Sequence, residues 1–117
     1  MIFSDTPTFT PTATATSTPA LLYFDIAGNS SVNAGSVFYV TVTARTYGGA
    51  VMNSYDGLAW FDTTSILSAL PADYAYQIAD AGARIFPVQL MTAGDQYVSV
   101  YDTDNMAAQG ELPITVN

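Results

Sequence analysis

Residues Asp102-Thr103-Asp104-Asn105 put oxygen-bearing side chains close together in a polar stretch. Calcium is held by several oxygen ligands, many of them carboxylates on alternate loop positions. Asp102, Asp104 and Asn105 are therefore the metal-ligand candidates of this chain. The stretch lacks the later glycine and glutamate of an EF-hand loop, and the same residue types build solvated turns. The expectation carried forward is a turn, with no resident metal and no cofactor. The ten acids are Asp5, Asp25, Asp56, Asp62, Asp73, Asp80, Asp95, Asp102, Asp104 and Glu111. Paired carboxylates can hydrolyse glycosides, but most of these fall where turns are expected. Histidine, cysteine and lysine are all absent. That removes the commonest general base, the thiol nucleophile and the Schiff-base amine, and the expectation is that the chain is not an enzyme.

Two further sets of residues carry chemistry of another kind. Tyr39, Trp60, Tyr97 and Tyr101 could stack on sugar rings, although aromatic residues more often pack in a core or an interface. Thr6, Thr8, Thr10, Thr12, Thr14, Thr16 and Thr18 occupy every even position of a Thr/Pro-rich tract, and Asn29 opens the sequon Asn29-Ser30-Ser31. These are the glycosylation candidates. Charge narrows the partners: the net charge is −8, and the only cationic side chains are Arg45 and Arg84. Phosphate binding rests on clustered Lys and Arg, so neither nucleic acid nor an anionic membrane surface is expected. No apolar run approaches the length of a membrane-spanning helix.

The elements that must position these residues follow from periodicity. Residues 1–19 (arm) contain too little apolar surface to fold alone. Two extended states are open to the tract: a polyproline II spacer, or a strand with all seven threonines on one face. Met1–Ser4 lacks the basic start and apolar core of a signal peptide, so the chain reads as a mature form, a fragment or one repeat of something longer. From residue 20 to 117 the pattern is strand after strand: 20–26, 36–46, 57–62, a short strand near Tyr76 and Ile78, 83–91, 96–103 and 111–116. Gly-, Asn- and Asp-rich turns separate them, including Ala93-Gly94-Asp95. Phe38, Val40, Val42 and Ala44 fall on one face of the second strand, the clearest alternation in the chain. Pro87 and Pro113 sit inside strands, which places them at sheet edges or bulges. The fold class is all-β, an immunoglobulin-like β-sandwich of about seven strands with an extended N-terminal arm.

The pieces AGSVFYVTVTA, YGG, SYDG, LPADYAY and DAGARIFPVQLMTAGDQYVSVYDT, between Ala34 and Val116, resemble the bacterial immunoglobulin-like repeats of large surface and secreted proteins. The resemblance implies a β-sandwich that spaces, displays or adheres, with no catalytic residues. It also implies that Ala59 and Phe61 point inward, which turns Leu58 and Trp60 outward. By the same alternation Tyr39, Ile85, Pro87, Met91, Tyr97 and Tyr101 face out. In such repeats these positions are mostly polar.

A soluble monomer rarely carries large contiguous apolar patches. The expectation is therefore an extracellular structural subunit at the cell surface that assembles with copies of itself into a filament or array. Phe3, Phe9, Tyr39, Leu58, Trp60, Ile85, Met91, Tyr97 and Tyr101 would make the contacts, and the arm would reach the next subunit. The alternative is a spacer, adhesion or carbohydrate-binding repeat of a larger surface protein or secreted hydrolase. Copies of itself are the expected partner, with surface glycans as a second class.

Overall fold

The computed structural model describes residues 21–117. The arm, with Phe3, Phe9 and the seven threonines, lies outside the described residues. Within them the strands are β1 (Leu21–Gly28), β2 (Ser31–Val32), β3 (Val37–Thr46), β4 (Leu58–Thr63), β5 (Ser68–Ala69), β6 (Tyr74–Ala75), β7 (Ala83–Leu90), β8 (Gly94–Asp102) and β9 (Gln109–Val116). One 3₁₀ turn, Ile78–Asp80, precedes β7.

Two sheets form. One runs β1-β3-β7-β5 and the other β2-β9-β8-β4-β6. All pairings are antiparallel except β2 with β9, where Thr115 faces Ser31 and Val116 faces Val32 in parallel. The result is an immunoglobulin-like sandwich. Its core is the alternate-residue set that the sequence marks out: Phe38, Val40, Val42 and Ala44 from β3, Ala59 and Phe61 from β4, Phe86, Val88 and Leu90 from β7, and Val98 and Val100 from β8 are all buried. Phe24 and Ile26 of β1, Val32 of β2, Ile114 and Val116 of β9, and Tyr55 and Tyr76 from outside the strands complete it.

Three details differ from the periodicity. The short strand expected near Tyr76 and Ile78 lies earlier, at Tyr74–Ala75. Tyr76 instead turns its ring into the core and its hydroxyl donates to the Val42 carbonyl at 2.8 Å, while Ile78 begins the 3₁₀ turn. Gly94 and Asp95, expected as a turn, open β8 because β9 continues far enough to pair with them, Val116 facing Gly94 and Thr115 facing Asp95. Strands β2 and β5 have two residues each, too short for any alternation to show.

The two prolines do sit at open edges. Pro87 pairs with Tyr39 on one side, and β5 covers β7 only at Gln89 and Leu90. Pro113 pairs with Tyr97, and β2 covers β9 only at Thr115 and Val116. In both places the missing amide leaves no ladder bond unmade among the described strands.

Candidate functional site

The three metal-ligand candidates lie together in one turn, built around the Asp102 side chain. Asp102 ends β8 and is 5% exposed. Its Oδ1 accepts from the amides of Asp104 (2.8 Å) and Asn105 (2.9 Å), and its Oδ2 accepts from the buried Tyr55 hydroxyl. Asp102 thus closes the β8–β9 turn and anchors a tyrosine from the β3–β4 connection. Burial, and then the bond to Asp102, push the Tyr55 hydroxyl far above the usual tyrosine range. Burial likewise raises Tyr76, helped by the nearby charge of Asp80. Asp80 is held below the usual carboxylate range, first by the Gln77 amide and then by the Tyr74 hydroxyl. Among the described residues no group of three or more His, Cys, Asp or Glu is arranged to hold a metal ion.

The other candidates separate onto opposite outer faces. On the β1-β3-β7-β5 sheet, Tyr39 is 62% and Ile85 63% exposed. Tyr39 faces Pro87 directly across the ladder, with Val37 and Thr41-Ile85 in the neighbouring rows. The only charged residues on the outer side of β1 and β3 form an ion pair, Arg45 to Asp25 at 3.0 Å, at the far end of the face. An open groove of about 170 Å³, lined by Val37, Leu70, Pro71 and Pro87, borders it. No charged residue lines that groove.

On the β2-β9-β8-β4-β6 sheet the pairing sets side chains in rows across the strands. Trp60 lies beside Tyr101, and Tyr101 beside Gln109. Asp62 lies beside Ser99, and Ser99 beside Glu111. Tyr97 lies beside Pro113, and Asp95 beside Thr115. The Trp60 and Tyr101 ring centroids are 5.3 Å apart. This face is aromatic and acidic, with no cation among its described residues. Arg84, the second cationic side chain, lies elsewhere, 3.2 Å from Asp80 and stacked 4.5 Å over the Tyr74 ring.

The seven proposed contact residues that are described therefore do not form one patch. Tyr39 and Ile85 share the neutral face. Leu58, Trp60, Tyr97 and Tyr101 lie on the acidic one, with Leu58 half-buried. Met91 follows β7 at the end of the sandwich, its amide donating to the Leu67 carbonyl. Val37, Ile66 and Leu67 are further exposed apolar residues that the sequence reading missed. Val37 was readable from the alternation that exposes Tyr39, whereas Ile66 and Leu67 lie between strands, where no period marks them. Asn29 is exposed between β1 and β2, accessible to a modifying enzyme.

No family model matches the chain, and no curated protein matches it. Among solved structures the fold is similar to part of the crystal structure of the S-layer protein rSbsC(31-844), with a TM-score of 0.64 and 14% identity over 90% of this chain. It is similar also to part of the structure of surface layer protein SbsC, domains 1-6, with a TM-score of 0.63 and 14% identity over 89% of this chain. In each case the chain spans 14% of the length of the structure it matches. Structural likeness at this identity shows a shared fold alone.

Proposed function

We propose that this chain is a non-catalytic structural domain of the cell surface that assembles with copies of itself, using the neutral outer face of the β1-β3-β7-β5 sheet. The single observation that carries the reading is the combination of apolar exposure and charge neutrality on that face, in a chain of net charge −8. Two copies of so acidic a chain repel one another. They meet at least expense where no unpaired carboxylate is brought into the interface. Tyr39, Ile85, Pro87 and Val37 provide such a place, and burying them favours contact at roughly 25 cal/mol per Å² before docking entropy is deducted. The likeness of fold to parts of two S-layer protein structures supports a surface location.

A face that docks on its own copy closes at a dimer, and an open polymer needs a second, head-to-tail contact. The arm supplies it in this reading. Phe3 and Phe9 are its apolar anchors on a neighbouring copy. Fourteen residues of polyproline II span roughly 43 Å, enough to cross a sandwich.

Analytical ultracentrifugation of the full chain tests this. The wild type is expected to form species larger than the 12.4 kDa monomer. Ile85→Lys is expected to weaken self-association by about tenfold or more, since it sets a charge in an apolar contact. Deleting residues 1–19 is expected to stop growth at the dimer. A wild type that stays monomeric at every concentration overturns the reading, and polymers unaffected by the deletion remove the arm from it.

A further inference from the structure

The opposite face is unsuited to a second copy. Asp62, Asp95 and Glu111 point from it, and none is in an ion pair among the described residues. Docking it on itself would bring two sets of the same carboxylates into one interface, which costs several kcal/mol. Yet it carries exposed aromatic rings, as a surface built to hold something does.

In plan the rows form a trough, a polar row flanked by rows that carry aromatic rings. Its floor is the row Asp62–Ser99–Glu111, spanning about 10 Å across three strands. One wall is the Trp60–Tyr101 pair. The other wall is Tyr97 with Pro113, two residues along β8 from Ser99 and thus about 7 Å away. Beyond Tyr97 the surface continues into an open cleft of about 350 Å³, lined by Ser30, Asp95, Tyr97, Pro113 and Thr115. Ser99 is the second observation that points to a ligand. It is 7% exposed on the outer side of β8, between the inward-facing Val98 and Val100, and its hydroxyl has no hydrogen-bond partner among the described residues. A hydroxyl so enclosed normally has a partner.

We propose that this trough binds an uncharged oligosaccharide. The carboxylates accept hydrogen bonds from sugar hydroxyls, and the Ser99 hydroxyl donates or accepts between them. The aromatic rings cover the apolar C–H faces of the sugars. The acids are set out along a line on separate strands rather than converging on a point, so they match a row of hydroxyls rather than one compact cation. Anionic ligands are refused by the same carboxylates. The length from the Trp60–Tyr101 wall to Tyr97, about 13 Å for four residues of β8, calls for an oligomer rather than a single sugar. The site is independent of the self-association face and stands whether or not that face is used.

Trp60 is the only tryptophan in the chain, so its fluorescence reports directly on the trough. The full chain and its Ile85→Lys variant are titrated with cellohexaose, maltohexaose, chitohexaose and mannohexaose, and separately with a lysine-rich peptide. A saturable change with at least one sugar, little altered by high salt, is expected. Tyr97→Ala should weaken that binding about tenfold, as the loss of one stacking ring. Ser99→Ala and Asp62→Asn should each weaken it severalfold, and Tyr39→Ala on the opposite face should leave it unchanged. Circular dichroism confirms that each variant is folded. The proposal is overturned if none of the four sugars gives a saturable change, if Tyr97→Ala binds like the wild type, or if only the peptide binds and high salt abolishes it.

Discussion

Tyr55 and Asp102 show how one pair of residues holds two distant parts of the chain together. They are 47 residues apart, and the hydroxyl of one is the partner of a buried carboxylate oxygen of the other. Around them Tyr55 packs edge-on against Phe24 at 5.5 Å and Tyr76 at 5.0 Å. Replacing Tyr55 by Phe keeps these ring contacts and leaves the Asp102 Oδ2 without its partner, which should cost about 1–3 kcal/mol. The pH dependence follows from the same site. The folded state holds the Tyr55 and Tyr76 protons more tightly than the free side chain, whose reference value is 10.0. Their stabilising effect is therefore complete below that value and declines as pH rises above it, by about 1.4 kcal/mol per pH unit for each tyrosine. Urea denaturation of the wild type and Tyr55→Phe, near neutrality and on the alkaline side, checks both points. The gap between them should narrow with rising pH, and a constant gap would reject the assignment.

At the scale of elements, the strands were legible wherever a whole alternating run crosses the core. β3, β4, β7 and β8 could be read because alternate residues of each are buried where the strand crosses the core and most of those between them are not. β2 and β5 were not legible, because a two-residue pairing is set by what lies next to it. The β9 start at Gln109-Gly110 was missed for a related reason. Gly110 is needed because a Cβ there would overlap the Phe24 carbonyl, where β9 approaches β1 of the other sheet. Only the packed structure reveals that approach. Gly110→Ala should destabilise the domain by about 1–3 kcal/mol through overpacking, measured as a lower denaturation midpoint. A variant as stable as the wild type would show that the two strands can move apart freely.

At the scale of the whole molecule, charge sorts the surface. Both arginines are spent inside the domain, on Asp25 and Asp80, so no free cationic side chain among the described residues offsets the remaining acids. Association between copies must overcome that repulsion, and salt screens it. Self-association through a neutral apolar face should therefore strengthen as salt is raised, seen as a larger weight-average mass in sedimentation equilibrium. A contact built on ion pairs would weaken instead. The same measurement separates the two faces, since sugar binding in the trough should hardly respond.

By itself the sequence determined that the chain is all-β, which residues of the long central strands face the core, and that aromatic and apolar side chains stand on the outside. These follow from a period of two along each strand, a property of consecutive residues. Only the tertiary structure decided that the outer residues form two surfaces of opposite character. Strand order and register set Tyr39 beside Pro87 on a neutral face, and Trp60, Ser99 and Glu111 among carboxylates on the other. Those neighbours come from different strands, and no local pattern records which strands will lie side by side.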